Sequence, residues 1–157
     1  MKPIVYIETS VISYFTARMS RDLIVAAHQQ ITQEWWDDIL PQTECFISPF
    51  VLDEISRGDK EAAKSRLNAV STFSVLEVNE EIRVLADQYF EILEIPEKAR
   101  IDTFHLATAS WHEMDYLLSW NCKHIASGRV RWGVAQINSQ LNIRTPIICT
   151  PEELMEL

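Results

Sequence analysis

"YIETSVISYF", residues 6–15, is the stretch whose reading decides the fold. The run Ile4-Val5-Tyr6-Ile7 has the length and the β-branched, aromatic content of a buried strand. It stops at an acid, Glu8, and two hydroxyl residues, Thr9 and Ser10, precede the next apolar stretch. Packing alone gives no reason to put a carboxylate where a buried strand ends. The rest of the chain has to supply one.

Composition narrows the choices. A chain of 157 residues, 47% apolar and 24% charged, fits one domain (1–157) with a substantial core. No apolar run approaches the roughly 20 residues needed to cross a bilayer. Met1-Lys2-Pro3 leads straight into a strand without the layout of a signal peptide, so the expected location is the cytoplasm. Cys45, Cys122 and Cys149 are widely spaced with no CxxC pair, which argues for small buried side chains and against a zinc site. A net charge of −9 opposes a broad basic surface that holds nucleic acid by counterion release, but not a small site built around metal ions. It also suits a basic partner. Three glycines leave no room for a Gly-rich phosphate loop.

Outward from residue 8, strands and helices alternate. A strand at about 4–8 leads to a helix from about 10, and a second helix covers roughly 21–39. The strand Glu44–Ser48 precedes a helix started by Pro49, with Val51, Leu52 and Ile55 on one face, and another helix runs from Lys60 to about Val70. Phe73, Val75, Leu76 and Val78 suggest a third strand. Ile82 to Leu93 has a clear helical period ended by Pro96, and Asp102 opens the next helix. Tyr116–Ser119 is a short strand, a helix covers 131–141, and Ile147–Cys149 is the last strand. Thr150-Pro151-Glu152-Glu153 reads as N-cap, first-turn proline and acidic first turn of a final short helix. Such alternation implies an α/β fold whose parallel sheet is covered on both faces.

Parallel sheets bind ligands beyond the carboxyl ends of their strands. Glu8, Glu54, Asp102 and Asn121 can all converge on that rim. Clustered acids repel; two unit charges about 4 Å apart cost roughly 4 kcal/mol at an effective dielectric near 20. Three of them need a proton, a basic partner or a metal, and oxygen ligands suit Mg²⁺ or Mn²⁺ better than zinc. The chemistry this points to is phosphodiester hydrolysis. Spacing alone is weak support in a chain with 23 acids.

The wording around the acids adds to it. "VYIETSVIS" at 5–13, "ISPFVLDEISRG" at 47–58, "IPEKARIDTFHLATA" at 95–109 and "DYLLSWNCKHIA" at 115–126 together resemble the PIN-domain family, and within it the VapC-like toxins of toxin–antitoxin pairs. The four stretches stand in the family's order and span nearly the whole chain. The resemblance implies a three-layer α/β/α fold with a central parallel five-stranded sheet. It also implies a Mg²⁺- or Mn²⁺-dependent endoribonuclease leaving 5′-phosphate and 3′-hydroxyl ends, a small antitoxin protein as partner, and a homodimer. Glu8, Glu54 and Asp102 match the family's first three acids, and Asn121 stands where the family has Asp or Asn. The first acid is usually Asp, so Glu8 carries its carboxylate one methylene further out. The resemblance makes Ser10 a support for the site.

Each of these residues also has a plainer reading. Ser10 serves equally as a helix cap, Asp102 as an N-cap and Asn121 as a turn former. Asp53 competes with Glu54, because adjacent helix positions point about 100° apart; the family pattern selects Glu54. Ser119 is placed to orient Asn121 or touch substrate. His105, one turn past Asp102, reads as a packed, hydrogen-bonded histidine rather than a base. Asp115 belongs to the opposite rim. Of the neighbours Trp35 and Trp36, one is expected to be buried and the other partly exposed. Arg57, Lys60, Lys98, Arg100, Lys123 and Arg129 are scattered cations near the rim whose default is solvated surface. Two other functions compete: a PIN-fold binding module without catalysis, suggested by Glu8 and the acidic charge, and a phosphatase or phosphotransferase, which needs an aspartyl nucleophile where Glu8 stands.

Overall fold

Five short strands form one parallel sheet in the computed structural model, which describes residues 1–157. They are β1 (Ile4–Ile7), β2 (Glu44–Ile47), β3 (Ser74–Val75), β4 (Tyr116–Leu118) and β5 (Ile147–Cys149), in the order β3-β2-β1-β4-β5. Val5 pairs with Cys45 on one side and Tyr116 on the other. β1 is therefore central, and Val5, Tyr6 and Ile7 have no exposed surface, as the unbroken apolar run requires. The chain builds outward from β1 to β3, then returns to start the other half at β4. The switch of direction puts a crevice beyond the carboxyl ends of β1 and β4, where such sheets bind ligands.

Seven α-helices cover the two faces: α1 (Thr9–Thr16), α2 (Leu23–Glu34), α3 (Pro49–Ile55), α4 (Lys60–Ala69), α5 (Glu80–Ile92), α6 (Arg100–Trp111) and α7 (Gly128–Gln140). This is the expected three-layer α/β/α arrangement. No helix is long and apolar enough to cross a membrane. Asp22, Ser48, Asp59, Asn79 and Ser127 each accept a first-turn backbone N–H, which sets where their helices begin. The cap at Ser127 makes α7 start three residues before the expected 131. The short 3₁₀ helix Pro151–Leu154 closes the chain, with the full Thr150–Glu153 capping box.

Three further elements differ from the sequence reading. The second helix does not run unbroken to residue 39; it gives way to a π turn at Trp35–Ile39 and a 3₁₀ turn at Leu40–Gln42. Within that turn Trp35 is wholly buried, while Trp36 stacks on Phe15 at 4.0 Å between ring centroids. The third strand is two residues rather than six, because β3 is an edge with a partner on one side only. Asp102 does not open α6: a 3₁₀ turn, Glu97–Ala99, leads into it and Arg100 is its first residue. Asp102 lies in the first turn and is not the N-cap, which is Ala99.

Candidate active site

The acid at the end of β1 caps the helix that follows. Glu8 is the N-cap of α1, with Oε2 accepting the Ser10 N–H at 3.1 Å. Glu8 Oε1 accepts two hydroxyls, from Ser10 and from Ser119 (2.6 Å). Those serines are themselves tied down. Ser10 Oγ accepts the Trp120 N–H at 2.8 Å, and Ser119 Oγ accepts the Asn121 N–H at 2.9 Å. The start of α1 and the end of β4 are thus stitched together around one carboxylate. Ser10 is a support for Glu8 and not the helix cap.

Glu54 reaches the same rim from the last turn of α3. Asp53 points away and pairs with Arg57 in solvent, which settles the choice between the two neighbours. Glu54 Oε1 accepts the Thr9 hydroxyl at 2.7 Å and the His105 Nε2–H at 2.6 Å. Behind it, His105 Nδ1 is 2.7 Å from the Tyr6 hydroxyl, and Tyr6 is 2.7 Å from Ser48 Oγ. Ser48 is the N-cap of α3, the helix that carries Glu54. One potential ligand atom each from Glu8, Glu54 and His105 falls within a mutual 4.8 Å.

Asp102 stands beside this trio and outside it. It is 8% exposed, and its Oδ2 is 3.4 Å from His124 Nδ1. Asn121 adjoins Asp102, and its Oδ1 accepts the backbone N–H groups of Lys123 (3.3 Å) and His124 (3.0 Å). The turn-forming role foreseen for Asn121 is therefore real. Asp115 lies at the opposite rim, as expected, receiving the Ile4 N–H at 2.8 Å. Of the cations, Arg57 and Arg100 are paired with acids and Arg129 donates to the Leu93 carbonyl. Lys60, Lys98 and Lys123 are exposed.

Burial and charge work against each other here. Burial raises the pKa of Glu8, opposed by His105 and by the hydrogen bonds from Ser10 and Ser119. Burial likewise raises Asp102 against the pull of Asn121, His105 and His124. Glu54 is also raised by burial, but the hydrogen bond and charge of His105, with Thr9 and Arg57, outweigh it and leave its pKa lowered. Burial lowers His105; its bond to Glu54 and the charges of Glu8, Glu54 and Asp102 reverse this, so its pKa is raised. Two carboxylates no more than 4.8 Å apart repel by at least roughly 3.5 kcal/mol at an effective dielectric near 20. His105 offsets part of that, and a divalent cation offsets more.

The donor chemistry fits Mg²⁺ or Mn²⁺. Glu54 Oε2 receives no hydrogen bond from the protein and Glu8 Oε2 only one, so each keeps lone pairs for a cation. The sequence reading missed how close His105 comes. Its i, i+3 offset from Asp102 places both on one side of α6, and the spacing of two puts Glu8, just past the end of β1, on the same side as Tyr6. Those two periodicities held the signal.

No family model matches the chain, and no curated protein matches it. Solved structures similar to it in fold include the following two. One is VapBC-1 from nontypeable Haemophilus influenzae, at 14% identity over 95% of this chain and 98% of that one, with a TM-score of 0.56. The other is VapBC2 from Rickettsia felis bound to a DNA fragment from their promoter, at 14% identity over 94% and 98%, with a TM-score of 0.54. At that identity the likeness is one of fold.

Proposed function

We propose that this chain is a divalent-metal-dependent endoribonuclease, the toxin of a toxin–antitoxin pair. The carrying observation is the meeting of Glu8 and Glu54, 46 positions apart in sequence, around a shared point at the sheet's switch, with Asp102 alongside. The fold likeness to the two VapBC structures supports the toxin assignment. A small antitoxin protein and a homodimeric state are part of the same reading, as are Mg²⁺ or Mn²⁺ as cofactor and RNA as substrate.

Glu8, Glu54 and Asp102 would hold the ion, and Asn121 assists by restraining Asp102. Bound there, Mg²⁺ or Mn²⁺ supplies acidified water and charge stabilisation for hydrolysis of a phosphodiester. The chain's own groups set the geometry. Ser10 and Ser119 hold Glu8, so the methylene added relative to Asp is not free to swing. Thr9 and His105 hold Glu54. Three carboxylates lining one rim repel an RNA backbone unless a cation intervenes, which makes hydrolysis conditional on metal.

The test is single-turnover cleavage of an RNA panel with Mg²⁺ or Mn²⁺, wild type against Asp102→Asn. Loss of about a hundredfold or more in the variant is expected for removal of a ligand or of its immediate support. Equal rates eliminate the proposal. A second reading, a binding module without catalysis, is favoured by His105, which partly neutralises the two acids with no ion present. Melting curves that do not move at any Mn²⁺ concentration would select it.

A further inference from the structure

Three side chains offer ligand atoms at the rim, one of them an imidazole, and the character of the metal depends on whether that imidazole binds. We infer that His105 is not a ligand but a positioning residue: it fixes Glu54 from behind and leaves the ion an all-oxygen set. This rests on the metal reading above and goes beyond it.

The hydrogen bonds carry the inference. A carboxylate only accepts, so in the 2.6 Å contact with Glu54 the proton sits on His105 Nε2. A protonated ring nitrogen has no lone pair for a metal. The other nitrogen, Nδ1, is spent on the Tyr6 hydroxyl at 2.7 Å. The ring has no exposed surface, and it packs against Tyr6 and edge-on to Phe50, with centroids 5.8 and 6.5 Å away. Turning Nε2 toward an ion breaks its bond to Glu54 and leaves that carboxylate with Thr9 alone.

The chain of contacts runs Ser48–Tyr6–His105–Glu54. It begins at the N-cap of α3 and ends on a side chain in the last turn of the same helix. It therefore fixes the Glu54 rotamer against the helix that bears it and against β1 and α6. The two hydrogen bonds that Glu54 accepts, from Thr9 and His105, both fall on Oε1, and Oε2 is left for the cation. Groups that orient a ligand in this way typically account for about 10- to 100-fold of metal affinity. Carboxylate ligands without an imidazole select Mg²⁺ or Mn²⁺ over softer ions.

The experiment is pulsed electron paramagnetic resonance of the full-length chain loaded with Mn²⁺, with Mn²⁺ affinities of wild type, His105→Gln and His105→Leu. The wild-type spectrum is expected to lack the ¹⁴N coupling of a directly bound imidazole. His105→Leu should bind Mn²⁺ at least about tenfold more weakly. His105→Gln, whose amide N–H can still reach Glu54, should stay near the wild-type affinity. Directly bound nitrogen in the wild-type spectrum overturns the inference, as does wild-type affinity in His105→Leu. The spectrum decides the matter even if the leucine variant does not fold. Wild type that binds no Mn²⁺ at all overturns the metal reading and this inference with it, a result distinct from a nitrogen-coupled spectrum.

Discussion

Glu8→Gln should change stability with opposite signs on the two sides of the His105 titration. In chelator, Glu8 faces Glu54 and His105 with ligand atoms no more than 4.8 Å apart. At that separation each unit-charge interaction is about 3.5 kcal/mol at an effective dielectric near 20, repulsive with Glu54 and attractive with protonated His105. The pKa of His105 is raised in the folded protein, so its stabilisation is complete below the unfolded value near 6.5 and disappears as pH rises through the folded value. Glu8 is an acid whose folded pKa is raised, so stability falls as pH rises from its unfolded value to the folded one, and the full cost stands above that.

When His105 is charged, the two Coulomb contributions cancel. The amide then costs only the cap bond from Ser10 N–H, about 1 kcal/mol. When His105 is neutral, the repulsion is unopposed, and removing it stabilises the variant by about 2.5 kcal/mol after the same loss. The assay is urea unfolding of both proteins in chelator from near pH 6 to near pH 9, read by tryptophan fluorescence. The expected result is a crossing of the two stability curves. Parallel curves, with the variant less stable throughout, would refute the electrostatic account of the cluster.

Three further outcomes follow from the geometry. Mn²⁺ at a hundredfold excess over Kd should add about 2.7 kcal/mol, a rise of about 5–10 °C in Tm by calorimetry, and Asp102→Asn should lose most of it. Tyr6→Phe removes a wholly buried hydroxyl shared by Ser48 and His105 and strands His105 Nδ1, so chemical denaturation should show a loss of about 2–4 kcal/mol. A methyl group on Gly133 in α7 would overlap the Cδ2 end of Leu93, which has to rotate to make room, so Gly133→Ala should cost no more than about 1–2 kcal/mol in urea after the gain in helix propensity, while leaving Mn²⁺ affinity unchanged.

Much of the fold was legible in local pattern. The apolar runs at 4–7, 116–118 and 147–149 are all strands, the first two interior and the last an edge, and periods of two and of three to four do not depend on distant residues. Caps were legible too, as with Thr150. Edge and terminus effects were not. The length of β3 depends on having one neighbour, and the break after Glu34 depends on a tryptophan finding the core.

At the site, sequence alone determined that acids would follow β1, lie on α3 and lie near the start of α6. It did not determine which of them would touch. Phase along one helix fixes angles between its own residues, but only packing fixes which direction meets another element. That is why Asp53 went to Arg57 and Glu54 to the rim, and why Asp102 came to stand beside the trio rather than within it. His105 looked like a packed histidine and is one. Only the tertiary structure put Glu54 against its Nε2 and brought Glu8 within reach, because Glu8 and Glu54 arrive from separate elements and meet a buried imidazole only after all three have been brought together.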